Sequence, residues 1–328
     1  MHRATARAGA NIAFIKYWGN LDASLRLPLT NSLSMTLDRA TTTTTVTFLA
    51  DLGQDELIIN GVVQAGTART RVSNHLDHFR RLAGVTWRAR VVSHNTFPAG
   101  AGIASSASAF AALTVAAAAA LGLDLTPRQL STYARLGSGS AARSIFGGFV
   151  EWVAGGRHED SFAYQVAPPD HWPLADLIAI VSGEHKAVGS TGGHALAPTS
   201  PLHSARLAHV HTALARARSA ILTRDIHALG QVMELDALTM HAVMMTSQPS
   251  LLYWQPGTLA VMHAVRSWRE EGIPVYFTID AGPNVHLITP VDYEQVVMER
   301  LRTLEGVQDV LVAHPGPDAH LVEGAETT

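Results

Sequence analysis

The 328-residue chain contains no cysteine, so disulfides and thiolate metal sites are excluded. It also lacks a basic excess. The formal net charge is −3 with histidine neutral, which removes the electrostatic footprint of a nucleic-acid binder. Any anion site must therefore be local. The opening stretch, MHRATARAGANIAFIKYWGN, has no continuous apolar signal core. The most apolar long stretch, Ala109–Leu123 (AFAALTVAAAAALGL), is too short to span a bilayer and predicts a packed helix. No internal repeat or coiled-coil heptad is visible, and no membrane partner is expected. A cytoplasmic location is the expectation, compatible with the missing cysteines. His75 and His78 are three apart on a predicted helix, but no zinc spacing accompanies them. Both are expected to be ordinary surface histidines.

What is present is a chain that is 47% hydrophobic and 16% charged, enough to build one large domain or two ordinary ones. The β-branched run 41–49 (TTTTTVTFL) predicts a strand. Glu56–Ile59, Asn60-Gly61 and Val62-Val63 predict a tight hairpin. Residues 67–82 place Val72, Leu76, Phe79 and Leu82 on one helical face, leaving Arg69, Arg71, Arg80 and Arg81 to a solvated face. Strands are expected at Trp87–Val92, Phe149–Val153, Leu177–Val181 and 274–279, with a further strand after the turn at 280–284. Helices are expected at Pro127–Leu136 (Thr126 as N-cap), 202–222, 225–246 and 258–271. The last carries Leu259, Met262, Val265 and Trp268 at helical spacing. Residues 154–173, rich in Gly, Pro and charge, read as a loop. The mixture is α+β, with a soft boundary near residue 182.

Five stretches could carry chemistry. Pro98–Ala107 (PAGAGIASSA) puts glycines and two hydroxyls before a helix. That suits phosphate at a helix start, or simply close packing of small residues. It lacks the GKS or GKT ending of a Walker loop. GSGSAARSIFGG, 137–148, holds Arg143, whose fork suits a carboxylate or phosphate; a structural salt bridge is the alternative. In ANIAFIKYWGN, Ile12 and Phe14 alternate as in a strand. Lys16 there must find an anion or snorkel outward. In TIDAGPN, Asp280 ends a strand and either serves catalysis or caps a turn. Val181–Ala195, with Lys186, is Gly- and Ser-rich and reads equally as a mobile surface loop.

Together, and in order, these stretches carry a resemblance. PAGAGIASSA resembles the GHMP kinase pattern of Pro, three variable residues, Gly, an aliphatic, one residue and Ser-Ser-Ala. NIAFIKYWGN, LPLTNSLSMTL, SHNTFPAGAGIASSAS, GSGSAARSIFGGFVEW and FTIDAGPN resemble the mevalonate 5-diphosphate decarboxylases, from about residue 4 to about residue 290.

The resemblance implies a two-part α+β GHMP fold. Residues 1–182 would bind the nucleotide, and residues 183–328 would form a ferredoxin-like sandwich closing the cleft. It implies ATP and Mg²⁺ as cofactors, a homodimer, and a 5-phosphorylated mevalonate that is phosphorylated on its 3-hydroxyl and then loses phosphate and CO₂. By the same resemblance Gly100, Ala101, Gly102, Ala104, Ser105 and Ser106 would hold the ATP phosphates, with Ser106 on Mg²⁺. Ser93, His94 and Asn95 would border the adenine. Asp280 would accept or orient the 3-hydroxyl proton, and Lys16 would sit near the transfer centre. Arg143 would grip the carboxylate, supported by Asn11. Tyr17, Ser138, Gly139 and Ser140 would surround the 5-phosphoryl tail. The family string KYWGK is KYWGN here, so Asn20 stands where a lysine would face the tail. The diphosphate is the family default, and losing that cation makes the 5-monophosphate an alternative. Two further readings are a kinase that stops at phosphorylation and a nucleotide-binding regulator. Asp280 and Arg143 together argue against the regulator.

Overall fold

The computed structural model describes residues 2–97, 105–183 and 188–322. Its strands are β1 (Arg3–Ile15), β2 (Asn20–Asp22), β3 (Leu27–Pro28), β4 (Ser32–Leu49), β5 (Glu56–Ile59), β6 (Val62–Gln64), β7 (Arg88–Asn95), β8 (Phe149–Trp152), β9 (Ala163–Ala167), β10 (Leu174–Ile180), β11 (Tyr276–Thr278), β12 (Val285–Pro290), β13 (Asp309–Ala313) and β14 (His320–Leu321). Its helices are α1 (Gly66–Ala83), α2 (Ser105–Ala120), α3 (Pro127–Gly137), α4 (Ser190–Leu196), α5 (His203–Thr223), α6 (Ile226–Thr246), α7 (Pro256–Glu270) and α8 (Glu294–Arg302).

The first sheet runs β14-β1-β4-β7-β5-β6, with β8 added to β4 and β9 to β8. Its spine is the long antiparallel pair β1–β4, whose register shifts between Gly9 and Asn11. Beyond that shift, β4 pairs β8 through Ser32–Met35, while its far half pairs β7 through Thr42–Leu49. The threonine run does more than favour extended backbone. The hydroxyls of Thr42 and Thr44 are buried and bond Ser108 on α2 and Ser93 on β7, at 2.7 and 2.8 Å. Helix α2 is buried on several sides by Ala111, Ala112, Ala116 and Ala117. Such small side chains let its backbone lie close to the sheet and to α3. A β-carbon on Gly137 at the end of α3 would sit 2.0 Å from the Phe110 ring of α2. Thr126 and Gln129 form the capping box that starts α3.

The second sheet has the order β11-β12-β10-β13, antiparallel throughout. With helices between β10 and β11 and α8 between β12 and β13, this is the split βαββαβ arrangement. Strand β10, on the N-terminal side of the boundary expected near 182, is thus a central strand of the second sheet. One face packs Leu177 and Ala179 on Val261, Val265, Trp268 and Leu301 of α7 and α8. The other packs Ile178 and Ile180 into a core shared with Ile12 and Phe14 of β1, Leu33 of β4, and α5 and α6. That shared core fixes the end of β1 against the end of β11, where Thr278 Oγ1 donates to the Ala13 carbonyl at 3.2 Å.

Four expectations change. Residues 163–167 form a strand within the supposed loop, because Ala163 and Ala167 bury against β8. Leu82 and Leu259, although in register with their apolar faces, are exposed at the rims of their helices. Arg80 is buried, paired with Asp55 and Asp77. His75 is buried as well, bonded to Thr114 at 2.9 Å, and burial pushes its imidazole down to about 3.

Candidate active site

The site begins where β1 ends. After Ile15 the chain leaves the strand, and two long-range bonds hold the backbone of Lys16. Its N–H donates to Asp236 of α6 at 2.7 Å, and its carbonyl accepts from Arg206 of α5 at 3.0 Å. Arg206 in turn pairs with Asp236 at 3.3 Å, both fully buried. The Lys16 side chain is 2% exposed. It does not snorkel; Nζ meets Asp280 Oδ1 at 2.6 Å. Burial lowers the ammonium pKa, opposed by the Asp280 carboxylate.

Asp280 follows β11, and its side chain is 27% exposed. Burial alone would raise its carboxyl, but the charges of Lys16, His286 and Arg143 outweigh that and hold it below the usual carboxylate range. The Asp280 carbonyl accepts from His241 Nε2 of α6 at 3.1 Å, which fixes that ring's tautomer. Burial keeps His241 neutral, pushed down to about 4.

Arg143 lies in a 3₁₀ turn, Gly139–Ile145, that follows α3. It is 3% exposed and, among the described residues, has no carboxylate partner within ion-pair distance. Asn11 Oδ1 accepts from Nε at 3.2 Å and from Nη2 at 2.9 Å, and Ser32 Oγ accepts from Nη1 at 2.6 Å. Asn11 is oriented by donating to Ser144 Oγ at 2.7 Å and the Ser140 carbonyl at 3.1 Å. Burial lowers the guanidinium to about 10, so it stays ionised at neutral pH. A guanidinium has five N–H donors. The three bonds to Asn11 and Ser32 leave two of them.

Lys16, Asp280 and Arg143 line one cavity of about 260 Å³, with Tyr17, Arg26, Arg71, Ser106, Ser138, Gly139 and Ser140. Ser106 and Ser138 share a hydroxyl bond of 2.9 Å. Tyr17 packs on Trp152 and His194, and its hydroxyl donates to Asn20 Oδ1. Gly139 is required by close approach, because a β-carbon there would lie 2.6 Å from the Tyr17 ring. Asn11 and Asn20 stand behind the wall, acting through Arg143 and Tyr17. A second, apolar cavity of about 140 Å³ lies between β7, α1 and α2, lined by Leu57, Ile59, Val72, Phe110, Ser93 and Asn95. His94, between those two, belongs to the opposite face of the strand. Gly100, Ala101, Gly102 and Ala104 lie outside the described residues, as do Lys186 and the side chain of Ser105.

Several lining residues escaped the sequence reading. Arg71, assigned to a solvated face, borders both cavities. Arg26 carried no motif signal. Ser190, Thr191 and His194 belong to the Gly- and Ser-rich stretch, whose residues from Ser190 onward form helix α4. His194 Nδ1 accepts from the Gly19 N–H at 2.9 Å, and burial pushes its imidazole down to about 3.

Two family models cover most of this chain. The diphosphomevalonate decarboxylase-like N-terminal domain matches residues 8–163, and the mevalonate 5-diphosphate decarboxylase C-terminal domain matches residues 176–315. The chain belongs to the diphosphomevalonate decarboxylase family. Within that family it is 37% identical to the phosphomevalonate decarboxylase of Haloferax volcanii over 299 residues, 90% of this chain and 91% of the relative. The mevalonate diphosphate decarboxylase of Staphylococcus aureus superposes with a TM-score of 0.94 at 38% identity, over 98% of each chain. A solved complex of MDDEF with MVAPP, AMPPCP and magnesium superposes with a TM-score of 0.92 at 40% identity, over 98% of this chain and 99% of that one. The fold is therefore the two-part GHMP fold of these decarboxylases.

Proposed function

We propose that the protein is an ATP-dependent decarboxylase of 5-phosphorylated mevalonate, in isoprenoid biosynthesis. The substrate's 3-hydroxyl takes the γ-phosphoryl group of ATP. The C3–O bond then breaks with phosphate leaving, and the electron pair of the breaking carboxylate bond forms the alkene as CO₂ departs. The product is an isopentenyl phosphate. The observation that carries this reading is the pairing, in one cavity, of the Lys16–Asp280 couple with an Arg143 that lacks a carboxylate among the described residues. A kinase needs the couple alone. A buried, uncompensated guanidinium with two free N–H groups supports a substrate carboxylate as its missing counterion.

In this reading the ionised Asp280 accepts a hydrogen bond from the 3-hydroxyl, and Lys16 steadies the charge that builds on transfer. Arg143 orients the carboxylate until it leaves. The apolar cavity beside Ser93 and Asn95 suits an adenine, and Ser106 at the start of α2 suits the ATP phosphates. Mg²⁺ binds through phosphates and water with few protein oxygens, here the Ser106 hydroxyl. Bound with ATP, the ion neutralises phosphate charge during transfer. A homodimer and a cytoplasmic location belong to the same proposal; sedimentation would test the first. No helix among the described residues is long and apolar enough to cross a membrane.

A second reading, the 5-monophosphate as preferred substrate, is favoured by Asn20. Its neutral amide faces Tyr17 where the family pattern has lysine, and the Haloferax volcanii relative bears the matching name. One assay separates the readings. ADP and CO₂ are measured separately from mevalonate, its 5-phosphate and its 5-diphosphate with Mg-ATP. Equal ADP and CO₂ from a phosphorylated substrate supports the decarboxylase. ADP alone indicates a kinase, and neither product from any of the three removes the enzyme reading.

A further inference from the structure

Asn20 opens a short hairpin, β2–β3, whose only cation is Arg26. Arg26 has a left-handed backbone, φ 49°, uncommon for a residue with a side chain. Something must hold it there, and the contacts are reciprocal. Arg26 Nε donates to the Leu136 carbonyl at the end of α3, at 3.0 Å. The neighbouring residue of α3, Arg135, donates from Nε to the Leu25 carbonyl, also at 3.0 Å. Arg135 is fully buried and further anchored by the carbonyls of His158 and Ser161. Asp22 closes the turn from the other side, accepting from the Leu25 N–H and the Ser24 hydroxyl.

The clamp presents Arg26 to the cavity beside Arg71 and the Ser138–Ser140 turn. Among the described residues Arg26 has no carboxylate partner, and its Nη groups have no hydrogen-bond acceptor. The carboxylate that lines this cavity, Asp280, is already paired with Lys16. Its bond to Leu136, two residues before Ser138, sets Arg26 at the part of the cavity lined by the Ser138–Ser140 turn.

We propose that Arg26 is a specificity-determining residue that binds the terminal phosphoryl group of the substrate, supplying from the hairpin the charge that neutral Asn20 does not. This rests on the decarboxylase reading and extends it to a residue that no motif marks. A strained backbone held by a buried arginine is a costly way to hold a merely solvated side chain. It is a reasonable way to pre-position a fork for a phosphate.

The test uses the intact chain with Arg26→Leu and Arg26→Lys, with 5-phosphomevalonate and 5-diphosphomevalonate as substrates and a fluorescent ATP analogue as nucleotide probe. Arg26→Leu should raise KM for the preferred phosphorylated substrate about 10- to 100-fold, the loss of one charged hydrogen-bonded contact. The lysine variant should recover part of that, and the nucleotide dissociation constant should stay within about twofold. An unchanged KM in Arg26→Leu overturns the proposal. So does equal weakening of nucleotide and substrate in both variants, which would mark a structural role. If the wild-type chain releases CO₂ from neither substrate, the decarboxylase reading fails and takes this one with it. If it does release CO₂ and Arg26→Leu leaves KM unmoved, this inference alone fails.

Discussion

Each polar group at the centre of the site has a distinct physical situation. Asp280 is ionised because Lys16 pairs with it and Arg143 adds a second positive charge nearby, and its side chain is partly exposed to the cavity. Asp280→Asn keeps the shape and removes the charge. It should lower turnover by about 10² to 10⁴, the usual range for losing a positioned acid or base. ADP release in single-turnover assays is the measurement, with ATP-analogue binding retained. Near-normal turnover would contradict the role given to Asp280. At the other end of the cavity, Asn20→Lys adds a cation beside Tyr17. The ratio of kcat/KM for the diphosphate over the monophosphate should rise about tenfold, on the scale of one added ion contact. An unchanged ratio would show that position 20 does not sense tail charge.

At the scale of elements, the site depends on where β1 stops. Asp236 on α6 and Arg206 on α5 hold both polar atoms of the Lys16 backbone, so two helices of the second half set the position of a lysine from the first. Asp236→Ala would leave Arg206 buried without its counterion. The expected cost is about 3–5 kcal/mol, the range for breaking a buried pair from one side. Urea denaturation reads it directly, and a loss under about 1 kcal/mol would mean that the pair contributes little. Gly139 makes a smaller, local test. Gly139→Ala must push the Tyr17 ring aside. KM for the phosphorylated substrate should rise about tenfold or more, a shift of an ångström in a binding group being enough.

The whole molecule carries a pH dependence that follows from burial. His75 and His194 are pushed down to about 3 and His241 to about 4, in each case chiefly by burial. All three are neutral when folded and titrate near 6.5 when unfolded. Below about pH 6.5 the unfolded chain therefore binds more protons than the folded one, and stability falls as pH falls toward 3 to 4. Above about pH 7 these groups contribute no slope. Melting temperature should thus be flat from pH 7 to 8 and drop steadily below 6.5. His75→Asn should shallow that slope by up to about 1.4 kcal/mol per pH unit, one proton's worth. An unchanged slope would show that His75 does not titrate between the two states.

How much of this was legible depended on the range of the interaction. The hairpin at Asn60-Gly61, the capped start of α3, and the strand runs of β4, β7 and β12 follow from neighbours along the chain, so the sequence by itself determined them. The chemistry-bearing stretches were legible for a related reason. Lys16 in an apolar run and Asp280 at a strand end are locally odd, and that oddness needs a partner. The sequence did not name the partner; the 2.6 Å pairing of residues 264 positions apart exists only because β1 and β11 meet in a shared core. The same limit explains Arg71, Arg80 and Arg26. Helical spacing says which residues share a face, but only packing decides whether that face meets solvent, an aspartate such as Asp55, or a cavity. Strand β9 was missed because its two buried alanines look like loop residues until β8 lies beside them. Composition and local pattern determined that this chain folds as α+β and that Lys16, Arg143 and Asp280 stand out locally. The tertiary structure decided which charged side chains share one cavity, because unlike charges from distant segments are held together only when the core between them is built.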